Sequence, residues 1–219
     1  MLIDNYKHKG LRKSLIKIIR EKGITDDKVL EVIGKVPRHF FLETAFVNHA
    51  YVDKAFSIGE GQTISQPFTV AFQTQLLNVR KNDKILEIGT GSGYQSSILM
   101  ELGAQLYSIE FNRKLHNRSK KILNQLNYKG TFICGDGSKG LEFHAPYDKI
   151  LVTAGAPTVP EALIEQLKIN GVLVIPVGPE SQQKMLRITK LEDKKIKKEE
   201  FGNFRFVKLL GEDGWGLNK

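Results

Sequence analysis

From Lys84 onward the chain alternates short, continuous apolar runs with helix-patterned segments, and this alternation constrains the fold more than any other feature of its 219 residues. The runs are "KILEI" ending at Ile88, "LYSIE" ending at Glu110, "TFICG" around Cys134, "KILVT" ending at Thr153 and "VLVIPV" ending at Val177. Helical segments lie between them, from Tyr94, from Asn112 to Leu126 and from Pro160 to Leu167. A strand without polar alternation is buried on both faces, which calls for a parallel sheet covered by helices on both sides. The expected fold class is α/β, a doubly wound, mostly parallel sheet. "MLRITKL" and "FRFVKLL", joined by the charged stretch "KLEDKKIKKEEF", read as a C-terminal antiparallel strand pair that finishes it.

Upstream, Leu11, Leu15, Ile18 and Ile19 recur at helical spacing and stop at Gly23, and a second helix runs from Asp27 to Val36 before Pro37. These form an N-terminal helical cap. Residues 1–80 are expected to hold the cap and a substrate segment, and residues 81–219 the ligand-binding core, packed as one unit. No apolar run approaches the roughly 18 residues of a membrane helix, and the polar start "MLIDNYKHKGLRKSL" lacks the apolar stretch of a signal peptide, so a cytoplasmic location and no membrane partner are expected. Cys134 is the only cysteine, which leaves no internal disulfide and no cysteine metal site; its setting in "TFICGD" suggests a buried strand position. His39, His49 and His144 lack metal-ligand spacing, and no metal is expected.

The net charge of +9 favours anionic partners. The basic residues are spread along the chain, however, and the densest run is interleaved with acids as in a solvated hairpin tip. With no RNA-binding signature or zinc-finger spacing, no nucleic-acid partner is expected; the chain is expected to be a monomer.

The stretch "ILEIGTGSGYQ" places Glu87 at a strand end, followed by Gly89, Gly91 and Gly93 before a helix. Glycines permit the unusual backbone angles of such a turn and let a ligand approach the main chain, at the strand ends where open α/β sheets bind ligands. The dinucleotide pattern G-x-G-x-x-G fails at Tyr94 and again at Ser96. The spacing is instead E-x-G-x-G-x-G, and a carboxylate there is unhelpful beside a pyrophosphate but suits a cation. S-adenosyl-L-methionine carries a sulfonium and an ammonium and no phosphate. Glu110, ending the next strand about 20 residues on, is placed for ribose hydroxyls. Asp136 in "CGDG" is able to accept from an adenine amino group while Gly137 leaves room for the ring. The fold is therefore expected to be of the S-adenosylmethionine-dependent methyltransferase (Rossmann-like) type.

With these residues in place, the chain resembles the protein-L-isoaspartate O-methyltransferase family along most of its length. The resemblance is carried by "VPRHFFL", "AYVDKAFSIGEGQTISQPFTVA", the glycine turn, "GDG", "YDKILVTAGAPTVPEALIEQLKINGVLVIPVG" and "FRFVKLLGEDGW"; "GQTISQP" is its family-specific part. It implies methyl transfer to the α-carboxylate of L-isoaspartyl residues in damaged proteins and peptides, with repair through a succinimide and S-adenosyl-L-homocysteine as the other product. It also implies that Ser65 is the active-site residue and that Gln62, Thr63, Ile64, Ser92, Glu110, Asp136 and Gly137 contact the cofactor. The chain departs from the family at Lys208, where proline is common, at Asn170, which replaces a glycine, and at Phe111, where arginine is common.

The implied reaction needs no general base, because a carboxylate nucleophile with a pKa near 4 is ionised at neutral pH. The enzyme has to align the reacting atoms and exclude water. A serine hydroxyl orients a carboxylate without adding charge. By local rules alone "QTISQ" reads as a linker in which Ser65, or Thr63, caps the helix that begins near Pro67. Tyr51 and Asp53 are candidates for shaping the pocket, and "VTAGAP" for lining a groove that takes extended peptide. The competing readings are a methyltransferase acting on RNA or a small molecule, and a non-catalytic cofactor-binding module.

Overall fold

The N-terminal cap begins with reciprocal hydrogen bonding at Asn5. Its side chain accepts from the His8 N–H while the His8 ring accepts from the Asn5 N–H, starting helix α1 (Tyr6–Glu21). Asp26 caps α2 (Asp27–Lys35) through the N–H groups of Lys28 and Val29, and α2 buries Val29, Leu30, Val32 and Ile33. These details come from a computed structural model that describes residues 3–193 and 195–216. Lys194 of the charged tip lies outside them.

After two 3₁₀ turns comes a small antiparallel hairpin, β1 (Phe56–Gly59) and β2 (Gln62–Ile64). Its turn residues Glu60 and Gly61 both have positive φ, 53° and 68°, as a right-twisting two-residue hairpin loop requires. Helix α3 (Pro67–Leu77) follows directly. Gln62–Ile64 is thus a strand rather than a linker. Its pairing with Phe56 and Ser57 supplies the backbone order that its polar sequence does not advertise.

The core then alternates β3 (Lys84–Ile88), α4 (Tyr94–Glu101), β4 (Gln105–Glu110), α5 (Arg113–Gln125), β5 (Thr131–Cys134), β6 (Tyr147–Val152), α6 (Glu161–Glu165), β7 (Leu167–Val177), β8 (Gln183–Lys190) and β9 (Ile196–Phe204). The sheet order is β5-β4-β3-β6-β7-β8-β9, parallel from β5 through β7 and antiparallel for the last two strands. The chain moves outward from β3 and then returns to place β6 on the other side of it. That reversal opens a crevice beyond the carboxyl ends of β3 and β6.

Three expectations shift. The final strand is Ile196–Phe204, within the charged run, whereas most of "FRFVKLL" leaves the sheet. It returns across the strand ends, where Lys208 forms a single parallel bridge with Gly155. An edge strand with solvent around it tolerates charge, while Phe206, Val207 and Leu209 find apolar cover elsewhere. Cys134 is exposed because β5 is the other edge of the sheet. Helix α6 is shorter than expected, since Leu167 already pairs with Tyr147 as the start of β7. Asn170 takes φ 63°, the left-handed geometry expected of a residue standing in for glycine.

Candidate active site

A cavity of about 360 Å³ occupies the crevice, bounded by the β1–β2 hairpin, the glycine turn and the returning C-terminal segment. The size suits a nucleoside-scale ligand. Gln62, Thr63, Ile64 and Ser65 line one side of it. Gly89, Gly91, Ser92, Glu110 and Gly137 line the other. Glu87, Gly93 and Asp136 are not on its wall.

Glu110 has 6% exposure, and its carboxylate is fixed by the backbone: Oε2 accepts from Gly91 N–H at 2.8 Å and Oε1 from Asn112 N–H at 2.9 Å. Burial pushes its pKa up, opposed by these N–H donors. The main chain of the glycine turn is thereby tied to the end of β4. Gly89, Gly91 and Gly93 all have positive φ. At Gly137 the constraint is spatial, because a Cβ would come within 2.7 Å of both Ile88 and Ile109, which line the same cavity.

Glu87 departs from the expected approach to a cationic ligand. It is fully buried beneath the turn, where Oε2 accepts from Ser108 Oγ at 2.7 Å and from Ser96 Oγ, joining β4 to α4. Burial pushes its pKa up to about 7, and Oε1 has no partner among the described residues. Asp136 also turns from the cavity: Oδ1 accepts from Ser138 N–H at 2.8 Å and Ser138 Oγ at 2.7 Å, and Oδ2 from Glu212 N–H at 2.8 Å. Its carboxylate holds the C-terminal segment, leaving Gly137 as the member of "GDG" that faces the cavity. Gly93 packs against Leu123, where a Cβ would approach within 3.2 Å.

Ser65 carries no cap. The residue at the start of α3 is Gln66, whose side chain makes no capping bond, and Asp53 Oδ1 accepts the Phe68 N–H at 2.8 Å instead. Among the described residues the Ser65 and Thr63 hydroxyls have no hydrogen-bond partner. Both residues also line a second groove of about 470 Å³, which shares Thr153 and Val207 with the first cavity and continues past Gln66, Gln182 and Arg205. Thr153 and Ala154 of "VTAGAP" therefore lie at the cavity, and Thr153 at the junction of both hollows. The Thr153 hydroxyl donates to Gly89 O at 2.7 Å.

Several lining residues had no sequence signal. Val207, Lys208, Leu209 and Leu210 close the cavity because "FRFVKLL" leaves the sheet. Trp215 Nε1–H donates to Gly155 O at 2.8 Å, and Lys208 pairs with Glu180 at 3.0 Å, which together pin this return. Phe111 lines the cavity and is 38% exposed. At the hairpin tip Glu60 pairs with Lys114 of α5 at 3.1 Å. Elsewhere Asp4, His8 and His39 bring ligand-type atoms within 4.8 Å of one another. Arg12 takes both Asp4 oxygens, at 2.9 and 2.7 Å, and the His39 ring nitrogens face Tyr51 Oη and Ile3 O, so this cluster is spent on internal bonding.

The sheet order, the glycine turn and a cavity flanked by Glu110 and Gly137 define a Rossmann-like protein of the S-adenosylmethionine-dependent methyltransferase type. The family profile described as protein-L-isoaspartate(D-aspartate) O-methyltransferase matches residues 10–214. The chain belongs to that family. It is 60% identical over 212 residues to the protein-L-isoaspartate O-methyltransferase of Cytophaga hutchinsonii, covering 97% of this chain and 96% of the relative. The Christiangramia forsetii protein of the same name is 54% identical over 208 residues, covering 94% of this chain and 97% of that one. A solved protein-L-isoaspartate O-methyltransferase structure superposes with a TM-score of 0.80 at 28% identity, over 90% of this chain and 65% of its own. Another, a putative enzyme of this name from Plasmodium falciparum in complex with S-adenosyl-L-homocysteine, gives 0.78 at 26% identity, over 92% and 97%.

Proposed function

We propose that this chain transfers a methyl group from S-adenosyl-L-methionine to the free carboxylate of L-isoaspartyl residues in damaged proteins and peptides, initiating repair through a succinimide. The observation that carries the reading is Ser65: a neutral hydroxyl without a hydrogen-bond partner among the described residues, on the wall shared by the nucleoside-sized cavity and the peptide-sized groove. When bound, S-adenosyl-L-methionine supplies a methyl group already activated by its sulfonium. Glu110 would hold the ribose hydroxyls, Gly137 would leave space for the adenine, and Gln62, Thr63 and Ile64 would cover the ligand from the hairpin side. The fit is supported by the clash a side chain at Gly137 would create, and by a lining with Glu110 as a buried acid.

Ser65 donates its O–H to one oxygen of the substrate carboxylate and fixes the direction of the other. No proton has to be removed, since the nucleophile is ionised at neutral pH. The hairpin and the C-terminal return keep bulk water from the reacting atoms, where alignment supplies most of the acceleration. In this reading residues 1–80 present the active-site and substrate segment and residues 81–219 hold the cofactor. The net charge of +9 favours the anionic substrate group, and the single cysteine is in keeping with a monomer working in the reducing cytoplasm, without nucleic acid or membrane. Among the described residues no helix is long and apolar enough to cross a membrane. Repeated cycles of methylation and ester collapse on an isoaspartyl peptide, followed by chromatography, test the reading: succinimide and aspartyl peptide accumulate if it holds, and an unchanged isoaspartyl peak contradicts it.

A further inference from the structure

A helix start is ordinarily capped by its own N-cap side chain. Here Gln66 occupies that place without doing so, and the acceptor comes from Asp53. The Asp53 carboxylate, 6% exposed, grips the chain on both sides of Pro67: Oδ1 accepts the Phe68 N–H at 2.8 Å, and Oδ2 accepts from the Gln66 side-chain amide at 2.9 Å. Pro67 adds its own fixed φ between the two contacts. Ser65 stands one residue outside this grip. From the end of α1, Lys22 Nζ reaches Asp53 Oδ2 at 2.7 Å, so an ammonium offsets the carboxylate charge near a site meant for another carboxylate.

We propose that Asp53 is a positioning residue for Ser65. It supplies the cap that Gln66, in the N-cap place, does not, and immobilises the Gln66–Phe68 turn, so that the Ser65 hydroxyl is held at the junction of cavity and groove for the substrate carboxylate. The inference rests on the reading of Ser65 given above. Asp53 itself is absent from the walls of both hollows.

The test is a double-mutant cycle on the full chain, reading kcat with an isoaspartyl peptide, S-adenosylmethionine affinity and thermal melting for Asp53→Ala, Asp53→Asn, Ser65→Ala and the Asp53→Ala/Ser65→Ala pair. Asp53→Ala lowers kcat by about 10- to 100-fold, the scale of a small misplacement of a reacting group. Cofactor affinity stays within about twofold. Asparagine retains the acceptor for Phe68 N–H and recovers most of the loss. In the Ser65→Ala background the Asp53 change costs no more than about threefold further, since the group it positions is gone. Gln66→Ala breaks half of the grip and leaves the helix cap, giving a second route if Asp53→Ala folds poorly; its smaller loss of kcat likewise vanishes without Ser65. Losses that multiply in the double variant, or a full kcat in Asp53→Ala, overturn the inference alone. A wild-type chain inactive on isoaspartyl peptide overturns it together with the functional reading.

Discussion

Glu110 and Gly91 are joined across the mouth of the crevice: the buried carboxylate at the end of β4 accepts the backbone N–H of the middle glycine at 2.8 Å. One residue thus shapes the glycine turn and presents an acid to the cavity. Glu110→Ala is expected to weaken S-adenosylmethionine binding by about 10- to 100-fold, the range of a lost charge-assisted hydrogen bond. Isothermal calorimetry checks this, and an unchanged affinity would remove Glu110 from the cofactor site.

Ser65→Ala is expected to lower kcat with little effect on cofactor affinity or melting temperature. No cap is lost, because Asp53 provides it. A melting temperature lowered by the equivalent of about 1 kcal/mol, the usual cost of a lost cap, with activity per folded molecule intact, would return the serine to a structural role.

Glu87 makes a signed pH prediction. Its folded pKa, about 7, lies above the 4.5 of the free side chain because burial penalises the anion. Between those values the folded state binds the extra proton, so this group's contribution to stability is present below pH 4.5, falls as pH rises to about 7, and is flat above. The penalty is on the order of 3 kcal/mol. Glu87→Gln keeps the shape and an acceptor for the serines. Its melting temperature relative to wild type should rise between pH 5 and pH 8; a difference independent of pH would contradict the assignment.

Gly137→Ala should weaken cofactor binding, because the new methyl group meets Ile88 and Ile109 at 2.7 Å each and displaces side chains that line the cavity, and should cost about 1 to 3 kcal/mol of stability through overpacking. Retained affinity at wild-type stability would show that the wall gives way. Denaturant unfolding with and without ligand separates the two effects.

The parallel core was legible because β3, β4, β6 and β7 are largely buried on both faces and write that burial as mostly apolar runs. The same continuity hid the direction of Glu87: a strand covered on both sides has no alternation to say which way a given side chain points. The hairpin was invisible since β2 is three residues long and its turn depends on a positive φ at Glu60, a residue type with no such preference. At the C-terminus, the apolar character of "FRFVKLL" beyond Phe204 reflects packing of Phe206 on the core and of Val207, Leu209 and Leu210 at the cavity rather than strand pairing, while the true edge strand carries lysines and glutamates. The role proposed for Ser65 comes from resemblance alone. The cap of the helix that follows it comes from Asp53, whose contact with Phe68 spans fifteen residues and leaves no local trace.

The most direct measurement is methyl transfer from labelled S-adenosylmethionine to a matched pair of peptides that differ only in one linkage, L-isoaspartyl or normal L-aspartyl. Base-labile label is expected on the isoaspartyl peptide and essentially none on its aspartyl partner. Equal labelling of the two, or label appearing only on RNA or a small amine, would contradict it.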